Sequence, residues 1–229
     1  SLAREELGRP FDLLADARNH VYAVDFYVVD ITLLAPTTLG GLLARHAADI
    51  AVAEGVMGLF DGVAAPGQIA RGATADLAAL LGWPVLLVLD VSGQTETAAA
   101  VAAGLARYRD DVAVAGVILN RVASPRHLAL ITPGFDRVGL KVFGALGHDV
   151  RFELPERHLG LVQADEMDDI DRRLDAVADT IASAVDLSAV RRAAAPAKLT
   201  GGGAPRRPRG QRVAVARDPA FSFMYPHLL

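Results

Sequence analysis

The hydrophobic positions of this chain alternate between two spacings from about residue 39 onward. Apolar runs of strand length occur at 49–55, 84–90, 112–120 and 141–147. Apolar positions recur at helical spacing between and after them, at 39–48, 74–82, 95–111 and 164–187. Strand-length runs that alternate with helical stretches are typical of repeated βα units. The pattern therefore predicts an α/β fold with a mainly parallel sheet flanked by helices.

Individual segments support this prediction. The run PVLLVLD at 84–90 is apolar almost throughout, as expected of a strand that is buried on both faces of a parallel sheet. Gly82 is the expected end of the helix at 74–82, because glycine readily adopts the left-handed conformation that stops a helix. The charged stretch at 164–187 is amphipathic and is expected to pack one face against the sheet.

The composition changes towards both ends of the chain. Residues 193–211 are rich in Pro, Gly and Arg without periodicity, which predicts a flexible linker. Residues 212–229 begin with a strand-like run, VAVA, and we expect them to be the start of another domain. Residues 1–38 cannot be placed from their pattern. We therefore expect one α/β domain at 39–192, followed by a linker, with the fold incomplete at both ends.

Composition narrows the classes of function. The 229 residues are 52% hydrophobic but only 6% aromatic, so Ala, Val and Leu must fill the core. There is no apolar run of about 18 residues and no secretory signal pattern, and we expect a soluble, cytoplasmic protein without membrane contact. The absence of cysteine excludes disulfides, thiolate metal sites and a Cys nucleophile on this chain. A net charge of −4 gives no general attraction to nucleic acid.

Polar residues follow three of the predicted strands. Glu54, Asp90 and Asn120 each stand directly after an apolar run. Any one of them could equally be a turn former. Because ligands bind outside the carboxyl ends of strands in open parallel sheets, we expect the three to face one ligand site.

The stretch EGVMGLFDG at 54–62 carries two acids among glycines. Glu54 is a candidate Mg²⁺ ligand, because magnesium favours one or two carboxylates together with phosphate oxygens. The glycines would let the backbone approach a phosphate or a bulky substrate. Asp61 lies too far along to belong to the same strand, and the pair Asp61-Gly62 is also a common turn. Both interpretations of Asp61 stay open at this point.

Six motifs in this order resemble one enzyme family. They are EGVMGLFDG, GATADLA at 72–78, PVLLVLD, GVILNRV at 116–122, ELPERHLGL at 153–161 and VAVARDPAFSF at 213–223. Together they resemble the cobyrinic and hydrogenobyrinic acid a,c-diamide synthases of cobalamin biosynthesis. The resemblance implies a P-loop-NTPase-like synthetase domain, similar to dethiobiotin synthetase, followed by a class I glutaminase domain. It also implies amidation of the c and a acetate carboxylates of a corrinoid acid, with ATP and with ammonia from glutamine.

The resemblance also assigns roles to residues. Glu54 matches the magnesium-associated acid, and Asp61 matches an acid implicated in positioning the substrate carboxylate or ammonia. Asn120, with Arg121 beside it, matches the position expected to bind adenine. Pro155 and Glu156 would lie near the base or ribose. Magnesium and ATP are thus the implied cofactor and co-substrate.

Two further residues keep two interpretations each. Thr74 would supply a hydroxyl on the substrate side, or it would cap the helix that follows it. His158, in the motif PERHLGL, would contact a ligand or serve a structural role in its loop. The remaining histidines show no metal-binding spacing.

Parts of the family pattern are missing from this chain. The P-loop motif G-x-x-x-x-G-K-[ST] is absent, and neither lysine, Lys141 nor Lys198, fits it. There is no cysteine for glutamine hydrolysis. We therefore expect little or no amidation by this chain alone. Two alternatives are a dethiobiotin-synthetase or partition-type ATPase, and a non-catalytic fragment that associates with an intact synthase or forms a homo-oligomer.

Overall fold

The computed structural model describes residues 31, 35–44, 50–55, 57–153, 156–157, 160–161, 167 and 169–198. The chain divides into two compact units between Leu77 and Ala78, and the second unit ends at Ala197. Most of the segment at 1–38, and the linker and strand-like residues after Lys198, lie outside the described residues. The predicted domain boundaries therefore stay predictions.

The described part of the first unit contains helix α1 (Pro36–Ala44) and the beginning of helix α2 (Thr74–Leu81). The helix predicted at 39–48 is confirmed for 39–44, and its last four residues lie outside the described set. The helix predicted at 74–82 is confirmed. Gly82 follows it with a φ of 67°, the left-handed conformation expected of a glycine that ends a helix.

The strand predicted at 49–55 is wrong for residues 50–55, which belong to no strand. Val52 is 86% exposed and Ile50 is 42% exposed. A strand of a parallel sheet needs hydrogen-bonded neighbours and covered faces, and these small apolar side chains have no such cover. The apolar run indicates strand propensity, but propensity without pairing does not form a strand.

The second unit contains a parallel three-stranded sheet. Its strands are β1 (Val85–Asp90), β2 (Val114–Val122) and β3 (Val142–Gly147), with β2 in the middle. All three strands were predicted, within two residues at each boundary. Together with the flanking helices they confirm the α/β class with a parallel sheet.

Two helices make the crossovers between these strands. Helix α3 (Glu96–Arg107) joins β1 to β2, as predicted, and helix α4 (Pro125–Val138) joins β2 to β3. The sequence analysis did not predict α4, although its start and stop signals are present. The Ser124 side chain accepts from the backbone N–H of His127, Pro125 occupies the first turn, and Gly139 ends the helix at a φ of 69°.

The two crossover helices pack against each other through small residues. Four alanines of α3 are buried, and a Cβ atom on Gly134 of α4 would stand only 3.0 Å from that of Ala99. Phe135 and Ile131 of α4 and Val117 and Leu119 of β2 are fully buried. Burying each of the larger side chains contributes about 1.5–3 kcal/mol, so this layer fixes the crossover units on the sheet.

A second layer of elements packs against the sheet. It contacts the strand side chains that alternate with those covered by the first layer. Phe143 of β3 forms a buried cluster with Val185 and Ala189, and Ile118 of β2 contacts it. The elements of this layer are a 3-10 turn (Val150–Phe152), helix α5 (Ile170–Ala184) and helix α6 (Leu187–Ala193). The helix predicted at 164–187 ends at Ala184, because Val185 forms a β-bridge with Gly144. At its start, residues 167 and 169 are not helical, and residues 164–166 and 168 lie outside the described residues.

A short antiparallel pair of strands completes the described elements. Strands β4 (Glu156–Arg157) and β5 (Gly160–Leu161) pair with each other, and the sequence pattern did not predict them. Among the described helices, none combines the length and the apolar character that a bilayer crossing requires.

Candidate functional site

The carboxyl ends of β1 and β2 bring two of the predicted strand-end residues together. Asp90 and Asn120 are direct partners in the parallel register. Beyond them, the backbone N–H of Val91 donates to the carbonyl oxygen of Asn120 at 3.0 Å. The expectation that these two polar residues lie side by side at one edge of the sheet is therefore confirmed. This is the edge where open parallel sheets bind ligands.

A bulge in β2 changes the direction of the chain at this edge. Leu119 pairs with Ala145 of β3 and Val122 with Gly147, so two residues of β2 stand opposite one residue of β3. Arg121, one of the two, has a φ of 60°. A left-handed residue other than glycine costs of order 1–3 kcal/mol, and such residues concentrate at functional sites. Bulges next to active sites commonly redirect a side chain.

The carboxylate of Asp90 is held by its neighbours. Ser92 donates to Oδ1 twice, from its backbone N–H at 2.9 Å and from its hydroxyl at 2.5 Å. The Arg121 guanidinium nitrogen Nη1 lies 3.6 Å from Oδ2. The Ser92 hydroxyl, then the Ser92 backbone N–H and then the Arg121 charge lower the pKa of Asp90 below its ordinary value. Asp90 is thus a fixed, ionised group at neutral pH.

The side-chain amide of Asn120 has a defined orientation. The backbone N–H of Arg121 donates to one of its terminal atoms at 2.9 Å, which identifies that atom as the oxygen. The NH₂ group makes no hydrogen bond to any described residue. Asn120 is half-buried, and among the described residues its NH₂ group is an unpaired donor at this edge of the sheet. We call Asp90, Ser92, Asn120 and Arg121 the strand-end cluster.

The second acid of the motif, Asp61, lies in the first unit, in the loop at 57–63, which we call the acid loop. The backbone N–H of Asp61 donates to the carbonyl oxygen of Gly58 at 3.0 Å, as in a turn. The loop is fastened to the residues before α2 and to the first turn of that helix. Val63 and Arg71 exchange two hydrogen bonds of 2.9 Å, and the N–H of Ala75 donates to the carbonyl oxygen of Leu59 at 2.9 Å.

The glycines of this motif are explained by contacts within the protein. A Cβ atom on Gly58 would overlap the Asp61 carboxylate, and one on Gly62 would overlap the carbonyl oxygen of Arg71. A Cβ atom on Gly55 would overlap the side chain of Thr74. The expectation that the glycines let a ligand approach stays a prediction. Their observed effect is that the acid loop packs tightly on itself and on Arg71, and that Gly55, which precedes the loop, packs on Thr74.

The start of α2 is capped by an acid and not by Thr74. Thr74 is the first helical residue and is half-buried. The buried carboxylate of Asp76 accepts from the backbone N–H groups of Arg71 and Ala73, both at 3.1 Å. An acid at the third helical position that reaches back to the residue before the helix is half of a capping box. The capping interpretation of Thr74 therefore gives way to Asp76, and its substrate-side role stays a prediction.

The other candidate residues are placed as follows. Glu54 and Asp61 are both exposed. The backbone of Glu156 pairs with Leu161 in the short hairpin, whereas Pro155 and His158 lie outside the described residues. Glu54 and Asp61 belong to the first unit, and Asn120 and Arg121 to the second, so the predicted convergence of Glu54 with Asn120 stays a prediction.

The donor chemistry fits magnesium better than a metal held by the protein alone. Among the described residues, no three His, Cys, Asp or Glu side chains cluster as metal ligands. Mg²⁺ keeps several waters and takes one or two carboxylates together with substrate phosphates. An exposed carboxylate such as Glu54 suits that mode.

The sequence analysis missed one residue of the strand-end cluster, Ser92. The signal that could have identified it is the Asp-x-Ser spacing directly after β1.

Comparisons with known proteins agree with this architecture. The AAA domain family model matches residues 42–153. Hydrogenobyrinate a,c-diamide synthase of Rhodobacter capsulatus is 52% identical over 182 residues, which are 80% of this chain and 42% of that protein. The proteins of the same name from Mesorhizobium japonicum and Agrobacterium fabrum are 51% and 44% identical, each over 87% of this chain and 46% of the relative. No solved structure matches the chain significantly.

The identities extend over both described units and confirm the resemblance that the motifs predicted. The chain spans a little under half the length of these relatives. On this similarity, the chain belongs to the family of the hydrogenobyrinate a,c-diamide synthases.

Proposed function

We propose that this chain carries the base-binding part of the ATP site in an a,c-diamide synthase that amidates a corrinoid acid, either hydrogenobyrinate or cobyrinate. The observation that carries the proposal is the strand-end cluster. It places a fixed amide donor beside an ion pair at the ligand-binding edge of a parallel sheet. The full reaction is proposed for a protein of the length of these relatives, because this chain spans under half of that length.

Asn120 supplies recognition in this proposal. Its oxygen is occupied by the N–H of Arg121, so its NH₂ group would donate to a ring nitrogen of adenine. The ring nitrogen N1 accepts a hydrogen bond in adenine but carries a proton in guanine, so a donor directed at N1 favours adenine. Arg121, still more than half exposed beside Asp90, would add positive charge towards an anionic ligand. Pro155 and Glu156 are proposed to lie near the base or ribose.

Glu54 and Asp61 supply the acids of the reaction. Glu54 is proposed to hold Mg²⁺, directly or through water, and Asp61 to position the substrate carboxylate or ammonia. Magnesium, when bound, would neutralise charge on the ATP phosphates. The tight packing of Gly58 against the Asp61 side chain supports a fixed carboxylate in the acid loop. Thr74 and His158 are proposed on the substrate side.

The chemistry is the formation of an amide from a carboxylate. An oxygen of the corrinoid acetate attacks the γ-phosphorus of ATP, and ADP leaves with the electron pair of the broken P–O bond. Ammonia then attacks the acyl carbon, inorganic phosphate leaves, and a proton is lost from nitrogen. Glutamine is the proposed ammonia source. Because this chain has no cysteine, hydrolysis of glutamine by a Cys nucleophile would require residues beyond it.

The test compares Asn120 with its isosteric acid. The chain and the variant Asn120→Asp are titrated with MgATP and with MgGTP, and binding is read from the ligand signals by NMR, a method suited to weak affinity. Because the chain has no P-loop, we expect weak binding, with ATP preferred. The substitution keeps an acceptor for the N–H of Arg121 but removes the donor, and a lost hydrogen bond of this kind lowers ATP affinity about tenfold.

An exposed position of α4 supplies the control for this substitution. The variant Asp136→Asn exchanges the same two side-chain types in the opposite direction, away from the strand-end cluster, and should leave ATP binding unchanged. Equal affinity for ATP and GTP, or an unchanged affinity in the Asn120→Asp variant, would remove adenine recognition from this edge.

A further inference from the structure

A histidine outside the strand-end cluster joins the loops that follow its two strands. His127 is the third residue of α4 and is partly buried. Its Nε2 atom lies 2.5 Å from the carbonyl oxygen of Gln94, in the loop after β1. Its Nδ1 atom lies 3.1 Å from the backbone nitrogen of Ala123, in the segment after β2. One imidazole ring thus bridges residues that belong to two different βα loops.

These two contacts define the tautomer of the ring. A backbone N–H can only donate, so Nδ1 must accept from Ala123 and carries no proton. A carbonyl oxygen can only accept, so Nε2 must carry the proton that it donates to Gln94. The neutral ring with the proton on Nε2 is the only form that satisfies both contacts. The opposite tautomer or the charged ring would break at least one of them.

The loops that His127 joins are those that shape the cluster. Gln94 closes a turn onto Val91 with a hydrogen bond of 3.0 Å, and Ser92, which holds the Asp90 carboxylate, lies within that turn. Ala123 stands two residues after Arg121, which has the left-handed conformation of the bulge. The backbone pairing of Asp90 with Asn120 fixes the spacing of the two strands, whereas the turn that Gln94 closes determines where Ser92 holds the Asp90 carboxylate.

We propose that His127 is a positioning residue for the strand-end cluster. Through its bond to Gln94 it holds the loop after β1 against the start of α4, and so it fixes Ser92 and, through Ser92, the orientation of the Asp90 carboxylate without touching the ligand. For the identity of the ligand this proposal rests on the proposed function. For the geometry of the cluster it stands on the two hydrogen bonds alone.

The two bonds can be separated by substitution. In His127→Asn, the side-chain oxygen can still accept from Ala123 as Nδ1 does, but the side chain is too short to reach Gln94. In His127→Gln, the longer amide nitrogen can donate to Gln94 as Nε2 does. Because each variant keeps one contact, the pair distinguishes the bridge between loops from the local bond at the start of the helix.

The first readouts are spectroscopic and use the whole chain. In the wild type, the ring nitrogen signals of His127 should report the Nε2–H tautomer at neutral pH. Amide hydrogen exchange in the turn at 92–94 should be about tenfold faster in His127→Asn than in the wild type, and close to wild type in His127→Gln, since a lost hydrogen bond of about 1.4 kcal/mol corresponds to that factor. Thermal unfolding of both variants checks that each is folded.

The second readout is adenine nucleotide affinity, measured with MgATP as above. We expect about a tenfold loss in His127→Asn and near-complete recovery in His127→Gln. A wild-type ring in the Nδ1–H or charged form, or equal turn exchange in the two variants, would overturn the positioning role. If the wild type binds no nucleotide, the proposed function fails, whereas the tautomer and the exchange rates still decide the role of His127.

Discussion

Among single residues, the surface pair of Asp149 and Arg151 makes stability depend on pH. Arg151 donates from Nε to both carboxylate oxygens of Asp149 at 2.9 Å, and its backbone N–H donates to Oδ1 at 2.9 Å. These bonds, the side-chain ones first, lower the pKa of Asp149 from 3.8 to about 2. Since the folded pKa is depressed, the ionised carboxylate stabilises the fold at pH above 3.8, and this contribution is lost as the pH falls towards 2.

We therefore expect the variant Asp149→Asn to have a lower free energy of unfolding than the wild type at neutral pH, with a difference that shrinks as the pH falls from 3.8 to about 2. Denaturant unfolding at a series of pH values measures it. Arg151→Gln serves as the matched comparison, because it should remove the part of this pH-dependent difference that comes from the side-chain bonds, while the backbone N–H of residue 151 keeps its bond to Asp149. A difference that stays constant down to a pH of about 2 would show that the pair does not contribute in this way.

At the same scale, the sequence located the polar residues at the strand ends better than it described their surroundings. Asp90 and Asn120 were placed at one edge because both follow apolar runs, and the register confirms them as partners. The left-handed conformation of Arg121 could not be inferred from the sequence, because it arises from a bulge against β3. The capping of α2 by Asp76 likewise depends on where the preceding loop folds back.

For the secondary-structure elements, the predictions were correct where strand pairing or helix stop signals agreed with the propensities of the residues. The three strands of the sheet were predicted because their apolar runs are long and continuous. The run at 50–55 has the same character but lacks pairing partners among the described residues. Helix α4 was missed because Pro133 lies in its interior, where proline ordinarily ends a helix. Its cap by Ser124 and its stop at Gly139 were the better signals.

Two glycines of the second unit make a matched test of element packing. Gly104 is exposed within α3, and a Cβ atom there would meet no atom within 4 Å, so Gly104→Ala should raise the free energy of unfolding by about 0.5–1 kcal/mol. Gly116 of β2 has a φ of 154°, and a Cβ atom there would overlap the carbonyl oxygen of Lys141 and the ring of Phe143. Gly116→Ala should lower the free energy of unfolding by about 2 kcal/mol or more.

Chemical denaturation of the two variants beside the wild type measures both changes. The substitutions add the same methyl group, so a general effect of side-chain size cannot give opposite signs. If Gly116→Ala is neutral or stabilising, β2 and β3 do not approach as closely at that point as the structure has them.

For the molecule as a whole, the sequence predicted the family and the structure added the geometry of one edge of the sheet. Six motifs were enough for the family, because their order along the chain is more specific than any single motif. The division into two units puts the acid loop in one and the strand-end cluster in the other. Contacts between residues far apart in sequence depend on the tertiary structure. The convergence of Glu54 with Asn120 therefore stays a prediction.

If the strand-end cluster binds adenine, intermolecular nuclear Overhauser effects should detect the base beside it. The chain is saturated with MgATP, and transfer is measured from the adenine ring protons to the side-chain NH₂ group of Asn120 and to the backbone N–H of Arg121. We expect transfer to both groups, and none to the same positions with MgGTP at equal concentration. Transfer from adenine only to residues away from Asp90, Asn120 and Arg121 would show that the base binds elsewhere and that this edge is not the nucleotide site.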